Sequence, residues 1–202
     1  ELRTPIAVVR GHLELTDPSD PEDVHQTQLL AIDELDRMGV LIDDLILLAK
    51  SSQTDFITPV DTDVAELTEL VFDKSLALGE RRWQLESVAF TRAMIDPTRI
   101  TQAWLQLVAN AVKYSEHCST VRLGSAVRDG HLRMWAGDEG IGIAAEEIEV
   151  VRQRFKRTAN AQEMASGTGL GLSIVETIVA AHGGRLDIRS QVGQGSVFTM
   201  AI

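Results

Sequence analysis

Between residues 51 and 58 the hydrophobic period of the chain changes, and that change separates two kinds of structure. Ahead of it no segment alternates with the period of two that a strand requires. Leu2, Ile6, Val9 and Leu13 recur at helical intervals and share one stripe. The run Asp17-Pro-Ser-Asp-Pro21 stops that helix, because proline has no N–H and biases the preceding residue away from helical geometry. From Val24 to Ala49 the positions Val24, Gln28, Ala31, Leu35, Met38, Ile42, Leu45 and Ala49 follow a heptad, with further apolar neighbours at Leu30, Leu41 and Leu48. Two helices cannot enclose so much apolar surface alone, so pairing with a second copy as a four-helix bundle is expected. The alternative is that the hairpin packs on the rest of its own chain. Gly39, inside the seam, has no explanation in the sequence.

After residue 58 strands and helices mix. Short strands are expected at Thr58–Val60, Trp83–Val88 and Ala93–Ile95, with a helix over Val64–Leu78. A second helix runs from Pro97 to Tyr114, with Asp96 as N-cap and Pro97 where its missing N–H does no harm. Val121–Val127 and Leu132–Ala136 flank Asp129-Gly130, a dipeptide suited to the positive dihedrals of a tight hairpin. A last helix, Leu170–Ala181, ends at Gly183-Gly184 and is followed by strands at Arg185–Ser190 and Ser196–Ile202. Helices over one face of a mixed sheet follow from this order. The chain is read as a helical hairpin over 1–51, a linker over 52–57 and a second domain over 58–202.

Composition excludes several functions. A net charge of −11 and a pI near 4.9 argue against a nucleic-acid binder, which needs a basic face. The 44% of apolar residues is enough for a core. Cys118 is the only cysteine, so no internal disulfide forms; it fits a reducing compartment and is expected in a strand. No apolar run approaches the roughly 20 residues of a membrane-spanning helix. The chain starts at Glu1, within what reads as a helix, and is expected to be a piece of something longer.

Three boxes carry the chemistry: Asn110-Ala-Val-Lys-Tyr114, Asp138-Glu-Gly-Ile-Gly142 and Gly167-Thr-Gly-Leu-Gly-Leu172. Any one has an ordinary structural explanation; their order and spacing together read as an ATP site. Asn110 offers an amide oxygen of the hard kind that Mg²⁺ prefers, and Lys113 lies one turn on, placed for phosphate oxygens. Tyr114 sits beside it. Asp138 follows a strand, so its carboxylate can accept from an adenine amino group while Gly140 and Gly142 let the backbone come close. Gly167, Gly169 and Gly171 precede an apolar helix, where free N–H groups favour phosphate. The spacing is not that of a Walker A loop, and no strand stands directly before these glycines as a dinucleotide fingerprint requires.

By these boxes the chain resembles the sensor histidine kinases of two-component systems, whose N, G1 and G2 boxes lie on the Bergerat ATP-binding fold shared with gyrase, Hsp90 and MutL. The resemblance covers essentially the whole chain. It implies an α+β two-layer sandwich with a mixed sheet following the hairpin. In that family Asn110 would hold Mg²⁺, Asp138 would read adenine, and Lys113, Tyr114 and the run Gly167, Thr168, Gly169, Leu170 and Gly171 would line the nucleotide. The stretch 143–166, with Phe155, resembles the F box and ATP lid, and offers Arg154 and Arg157 to the phosphates. Glu1-Leu-Arg-Thr-Pro-Ile6 resembles the H box, whose phosphorylated histidine immediately precedes this glutamate. Glu1 would then orient or deprotonate the imidazole, and Thr4, one turn beyond it, would place water for dephosphorylating a partner.

The implied protein is the cytoplasmic catalytic core of a sensor histidine kinase, a homodimer that passes phosphate from ATP to histidine and then to an aspartate of a response-regulator receiver domain. Any membrane attachment would come from upstream segments of a parent in the inner membrane. Two residues depart from the family pattern. Gln106 stands where an earlier Asn of the N box is common, making it a second candidate toward the metal. Arg152 stands where an aromatic is expected three residues before Phe155. Two alternatives stay open: a hydrolytic ATPase of the gyrase or Hsp90 type, which commonly has a Glu where Gln106 stands, and a non-catalytic ATP-binding dimerisation scaffold.

Overall fold

The computed structural model describes residues 3–51, 55–153, 155–156 and 168–202. The chain forms two compact units, 1–49 and 50–202.

The first unit is a helical hairpin of α1 (Arg3–Leu15) and α2 (Pro21–Lys50). The turn between them is built by short polar side chains. Asp17 Oδ1 accepts from both the N–H and the hydroxyl of Ser19, and Asp20 Oδ1 accepts from the Glu22 N–H. Pro21 therefore opens α2 instead of merely ending α1, and the helix starts three residues before the heptad does. At the hairpin's inner edge the Thr16 hydroxyl donates to the His12 carbonyl at 2.7 Å, and its oxygen lies 2.9 Å from Thr27 Oγ1.

The single seam expected in α2 divides into two adjoining faces. Val24, Thr27, Leu30, Ala31, Met38 and Leu41 are buried or half-buried, whereas Ile32, Leu35, Ile42, Leu45 and Ile46 are exposed. Of the heptad positions, Val24, Ala31 and Met38 belong to the first face, and Gln28, Leu35, Ile42, Leu45 and Ala49 to the second. No neighbour lies within 4 Å of a Cβ built on Gly39, which lies along the exposed face.

In the second unit β1 (Val60–Asp63) pairs antiparallel with β3 (Arg92–Ile95) as a separate two-stranded sheet. The main sheet has the order β2-β4-β5-β7-β6, from β2 (Arg82–Ser87), β4 (Thr120–Arg128), β5 (His131–Asp138), β6 (Arg185–Gln191) and β7 (Gly195–Ala201). Only β2 and β4 run parallel, so the sheet is mixed, as the sequence predicts. The β4–β5 hairpin turns at Asp129 and Gly130, with φ of 54° and 76°. Among the described residues three helices pack on one face: α3 (Val64–Ser75), α4 (Pro97–Lys113) and, after the four-residue α5 (Ile148–Val151), α6 (Gly171–Ala181). Cys118 is in the turn between α4 and β4, exposed and with φ of 59°; the strand expected to include it begins only at Thr120.

The core lies between those helices and the sheet. Alternate residues Leu132, Met134, Ala136 and Asp138 of β5 turn toward the helices, with Met134 beside Met200 and Ala136 beside Phe198. Over them α4 sets Ile100, Ala103, Trp104, Leu107, Val108 and Ala111, all but fully buried. The Trp104 indole N–H donates to the Trp135 carbonyl at 2.9 Å, so the largest of these side chains leaves no orphan donor.

Both ends of α4 are tied. At its start Asp96 accepts from the N–H groups of Thr98, Arg99 and Thr58. The Asp96 N–H donates to His182 Nε2 at 3.0 Å, while His182 Nδ1, 2.8 Å from the Ile178 carbonyl, carries the ring proton. That link joins the start of α4 to the end of α6, which closes in a Schellman turn: Gly184 N–H donates to Val179 and Gly183 N–H to Ala180, with Gly183 at φ 74°. At the far end the Arg81 guanidinium donates to the carbonyls of Val112 and Ser115 at 2.8 and 3.2 Å, where free carbonyls and the helix dipole favour a cation.

Burial alone would raise the Asp96 pKa, but its three N–H donors and Arg99 together hold it below the ordinary carboxylate value. The stabilisation is therefore present at neutral pH and lost as pH falls through that lowered pKa. We expect Asp96→Ala to lower stability by about 2 kcal/mol at pH 7 and the difference from the parent to shrink below about pH 4, in urea unfolding followed across pH.

Candidate functional site

Along one flank of the apolar face of α4 lie Gln106, Asn110 and Lys113, one turn apart and all half-buried. Lys113 Nζ lies 5.1 Å from the centre of the Tyr114 ring, so the ammonium rests against a ring face. Both glycine boxes meet this one helix. At its end the Ile141 N–H donates to the Tyr114 carbonyl at 3.1 Å, and a Cβ on Gly140 would collide with that same carbonyl. One turn and more upstream, a Cβ on Gly171 would collide with the Gln106 side chain.

The turn after β5 is packed closely against protein backbone. Gly142, at φ 67°, lies against the Gln191 carbonyl, and Gly195, at φ 93°, against the Asp138 carbonyl; neither has room for a side chain. The Gly193 N–H donates to the Ile141 carbonyl at 2.8 Å. Ser190 Oγ accepts from the Ile143 N–H at 2.7 Å, donates to the Gly195 carbonyl and lies 2.9 Å from Ser196 Oγ. Gly140 and Gly142 are thus demanded by neighbouring backbone, a reason additional to any approach of a base.

Asp138 ends β5 with only 4% of its surface exposed. Its carboxylate accepts from the Gly140 N–H at 2.8 Å and from the Ser196 backbone. Burial pushes its pKa up to about 6, against the opposing effect of those N–H donors and of the Arg122 charge. Above that pH it is a buried anion, with lone pairs remaining for a further donor.

On the other side of α4, Thr168 Oγ1 accepts from the Leu170 N–H at 3.3 Å, and Gly169 takes φ of 71°. Leu170 is fully buried, so any contact it makes with a ligand falls to its backbone. Glu1, Arg154, Arg157 and Gly167 lie outside the described residues, and Thr4 is placed only as a backbone position of α1. Gln106, Asn110, Lys113, Tyr114, Asp138, Gly140, Gly142, Thr168, Gly169, Leu170 and Gly171 therefore belong to three segments that converge on α4. Arg81, Ser190 and Ser196, which hold that convergence, were not legible. Each acts through partners distant in sequence, and none belongs to a box.

Mg²⁺ fits this donor set in one way. Among the described residues no group of three or more His, Cys, Asp or Glu could hold a metal. An ion here would take an amide oxygen of α4 from the protein and its other oxygens from phosphate and water.

Comparison with known proteins gives two family matches. Residues 95–202 match the histidine kinase-, DNA gyrase B-, and HSP90-like ATPase family, and residues 1–54 match the His Kinase A (phospho-acceptor) domain. The phosphate regulon sensor protein PhoR of Pseudomonas aeruginosa is 34% identical over 98% of this chain and 47% of its own length. The sensor-like histidine kinase SenX3 of Mycolicibacterium smegmatis is 32% identical over 100% of this chain and 54% of its own. The chain thus spans about half the length of these curated relatives. Among solved structures, the Acinetobacter baumannii histidine kinase AdeS superposes with a TM-score of 0.76 at 26% identity, over 100% of this chain and 95% of that one.

The raised pKa fixes the sign of a stability effect. Since the folded value lies above the ordinary 3.8, Asp138 favours the fold below about pH 4, and this is lost as pH rises through about 6. Relative to the parent, Asp138→Asn should gain stability by up to about 3 kcal/mol between pH 4 and pH 7, read as the difference of two urea-unfolding series.

Proposed function

The chain belongs to the histidine kinase-, DNA gyrase B-, and HSP90-like ATPase family, with a His Kinase A phospho-acceptor region ahead of the ATPase domain, and from that premise we propose that it is the catalytic core of a two-component sensor histidine kinase. It would transfer the γ-phosphate of ATP to a histidine and then offer it to an aspartate of a response regulator. The observation that supports this best is the meeting of both glycine boxes on α4, at Tyr114 and at Gln106.

In this reading the Asp138 carboxylate, ionised above about pH 6, accepts from the 6-amino group of adenine, where guanine has a carbonyl. Lys113 and the backbone N–H groups of the turn before α6 receive phosphate oxygens. Arg154 and Arg157 are assigned to the same end of the nucleotide. Asn110 would hold Mg²⁺, which when bound neutralises charge developing on the phosphates. Gln106, whose amide nitrogen lies beside Gly171, stays the second candidate toward the metal through its amide oxygen. The accepting histidine is expected immediately before Glu1, with Glu1 orienting or deprotonating it and Thr4 placing water for the reverse activity. There is little covalent work for the protein to do; its contribution is alignment and charge.

The exposed face of α2, with Ile32, Leu35, Ile42, Leu45 and Ile46, supports a homodimer through the hairpin. Among the described residues no helix is long and apolar enough to cross a membrane. A cytoplasmic placement is proposed by family likeness, with any membrane anchor in segments outside this chain.

Incubating the full-length protein with γ-labelled ATP should give label on the protein that is lost in acid and kept in alkali, as a phosphohistidine is. Phosphate release without label on the protein would move the assignment to a hydrolytic ATPase. Asn110→Ala should keep ATP-competitive adenosine binding while transfer falls by roughly a hundredfold, the scale of losing one electrostatic ligand; unimpaired transfer would remove Asn110 from the mechanism. Ile42→Asp should shift the 202-residue chain from dimer to monomer in analytical ultracentrifugation.

A further inference from the structure

We propose that Arg152 and Glu176 form a positioning pair that sets the phosphate end of the nucleotide site. The proposal rests on the nucleotide reading above.

Arg152 follows directly on α5, and its guanidinium gathers three elements. Nη1 donates to Glu176 Oε1 of α6 at 2.7 Å, Nη2 donates to the Leu186 carbonyl of β6 at 3.0 Å, and Nε lies 3.6 Å from Glu149 Oε1. The Arg152 and Glu176 side chains are 28% and 30% exposed, so the short pair is partly shielded from solvent and ions. Its reach into a strand carbonyl as well as a carboxylate needs the planar fork of arginine.

Three residues further on, the Phe155 N–H donates to the Gly169 carbonyl at 3.1 Å. Both residues are left-handed, with φ of 63° and 71°. A Cβ on Gly169 would lie 3.0 Å from Phe155 backbone atoms, so the two backbones are in close contact. For phenylalanine this conformation is unfavourable and persists only where the surroundings impose it. Arg152, three residues earlier, ties the end of α5 to the same helix, α6, that Gly169 leads into. Gly171 is held from the opposite side by Gln106 of α4. The glycine turn is therefore held between Gln106 of α4 and the backbone of Phe155. Its backbone N–H groups can meet phosphate only if that grip places them. Arg152 and Glu176 act through the turn and are not catalytic residues.

The test uses the 202-residue chain with ADP and adenosine as separate probes, titrated by calorimetry, alongside thermal melting. Arg152→Ala and Glu176→Ala should each weaken ADP binding by about tenfold while adenosine affinity, governed by Asp138, stays within about twofold. The double variant Arg152→Glu with Glu176→Arg should recover part of the loss, since it restores the ion pair but not the bond to the Leu186 carbonyl. Arg152→Lys, which cannot reach both partners, should fall between and carries the test if the alanine variant melts below the assay temperature. Unchanged ADP affinity in the single variants, or equal losses for ADP and adenosine, would overturn the proposal. A parent that bound neither probe would overturn the nucleotide reading and this proposal with it.

Discussion

The bond from the buried Trp104 indole to the Trp135 carbonyl fixes α4 on the sheet, and the rest of the second unit is arranged around that helix. The buried stripe of that helix is bordered by a polar flank that carries Gln106, Asn110 and Lys113, all half-buried. A small rotation of α4 would move all of them together. The fold resists rotation at both ends, through Asp96 and His182 at the start and Arg81 at the finish. Core packing and site geometry are thus one constraint: the interior decides which way the amide of Asn110 points.

The turn after β5 shows where stability yields to function. Asp138 is held as a buried carboxylate although burial disfavours its charge, and the two N–H groups that bond to it offset only part of that cost. An amide residue, which keeps an acceptor for those N–H groups without the charge, would suit the fold better. The surrounding glycines reflect the opposite pressure, toward close packing. Gly140, Gly142 and Gly195 each lie against a carbonyl, which leaves the turn rigid enough to hold a carboxylate in one orientation. Glycine there has a steric cause in the protein itself, and the sequence motif alone attributed it to the ligand.

The helical hairpin illustrates how far periodicity can be read. Position 28 follows 24 by four residues, 31 follows 28 by three, and each step rotates around the helix in opposite senses by tens of degrees. A heptad pattern therefore cannot say whether one wide stripe faces one partner or two adjoining stripes face different ones. The structure separates them: Val24, Ala31 and Met38 are half-buried, whereas Leu35, Ile42 and Leu45 are exposed. The apolar excess that suggested a bundle was visible in the sequence; its division was not.

Local signals were legible because they act over a few residues. Asp129-Gly130 and Gly183 sit at positive φ, Asp96 caps its helix, and the three boxes follow one another in an order that the fold brings together. Tertiary structure decided the rest. The separate β1–β3 sheet, the turn position of Cys118 and the ties made by Arg81, Ser190 and His182 came only from it. Arg152 meets Glu176 across 24 residues, Arg81 meets Val112 across 31, and Asp96 meets His182 across 86. A single chain carries no period or spacing that marks such pairs. The sequence by itself determined which backbone conformations and faces were available, because sterics and helical geometry act locally; only the folded core, by fixing distances between remote segments, decided which polar side chains would meet.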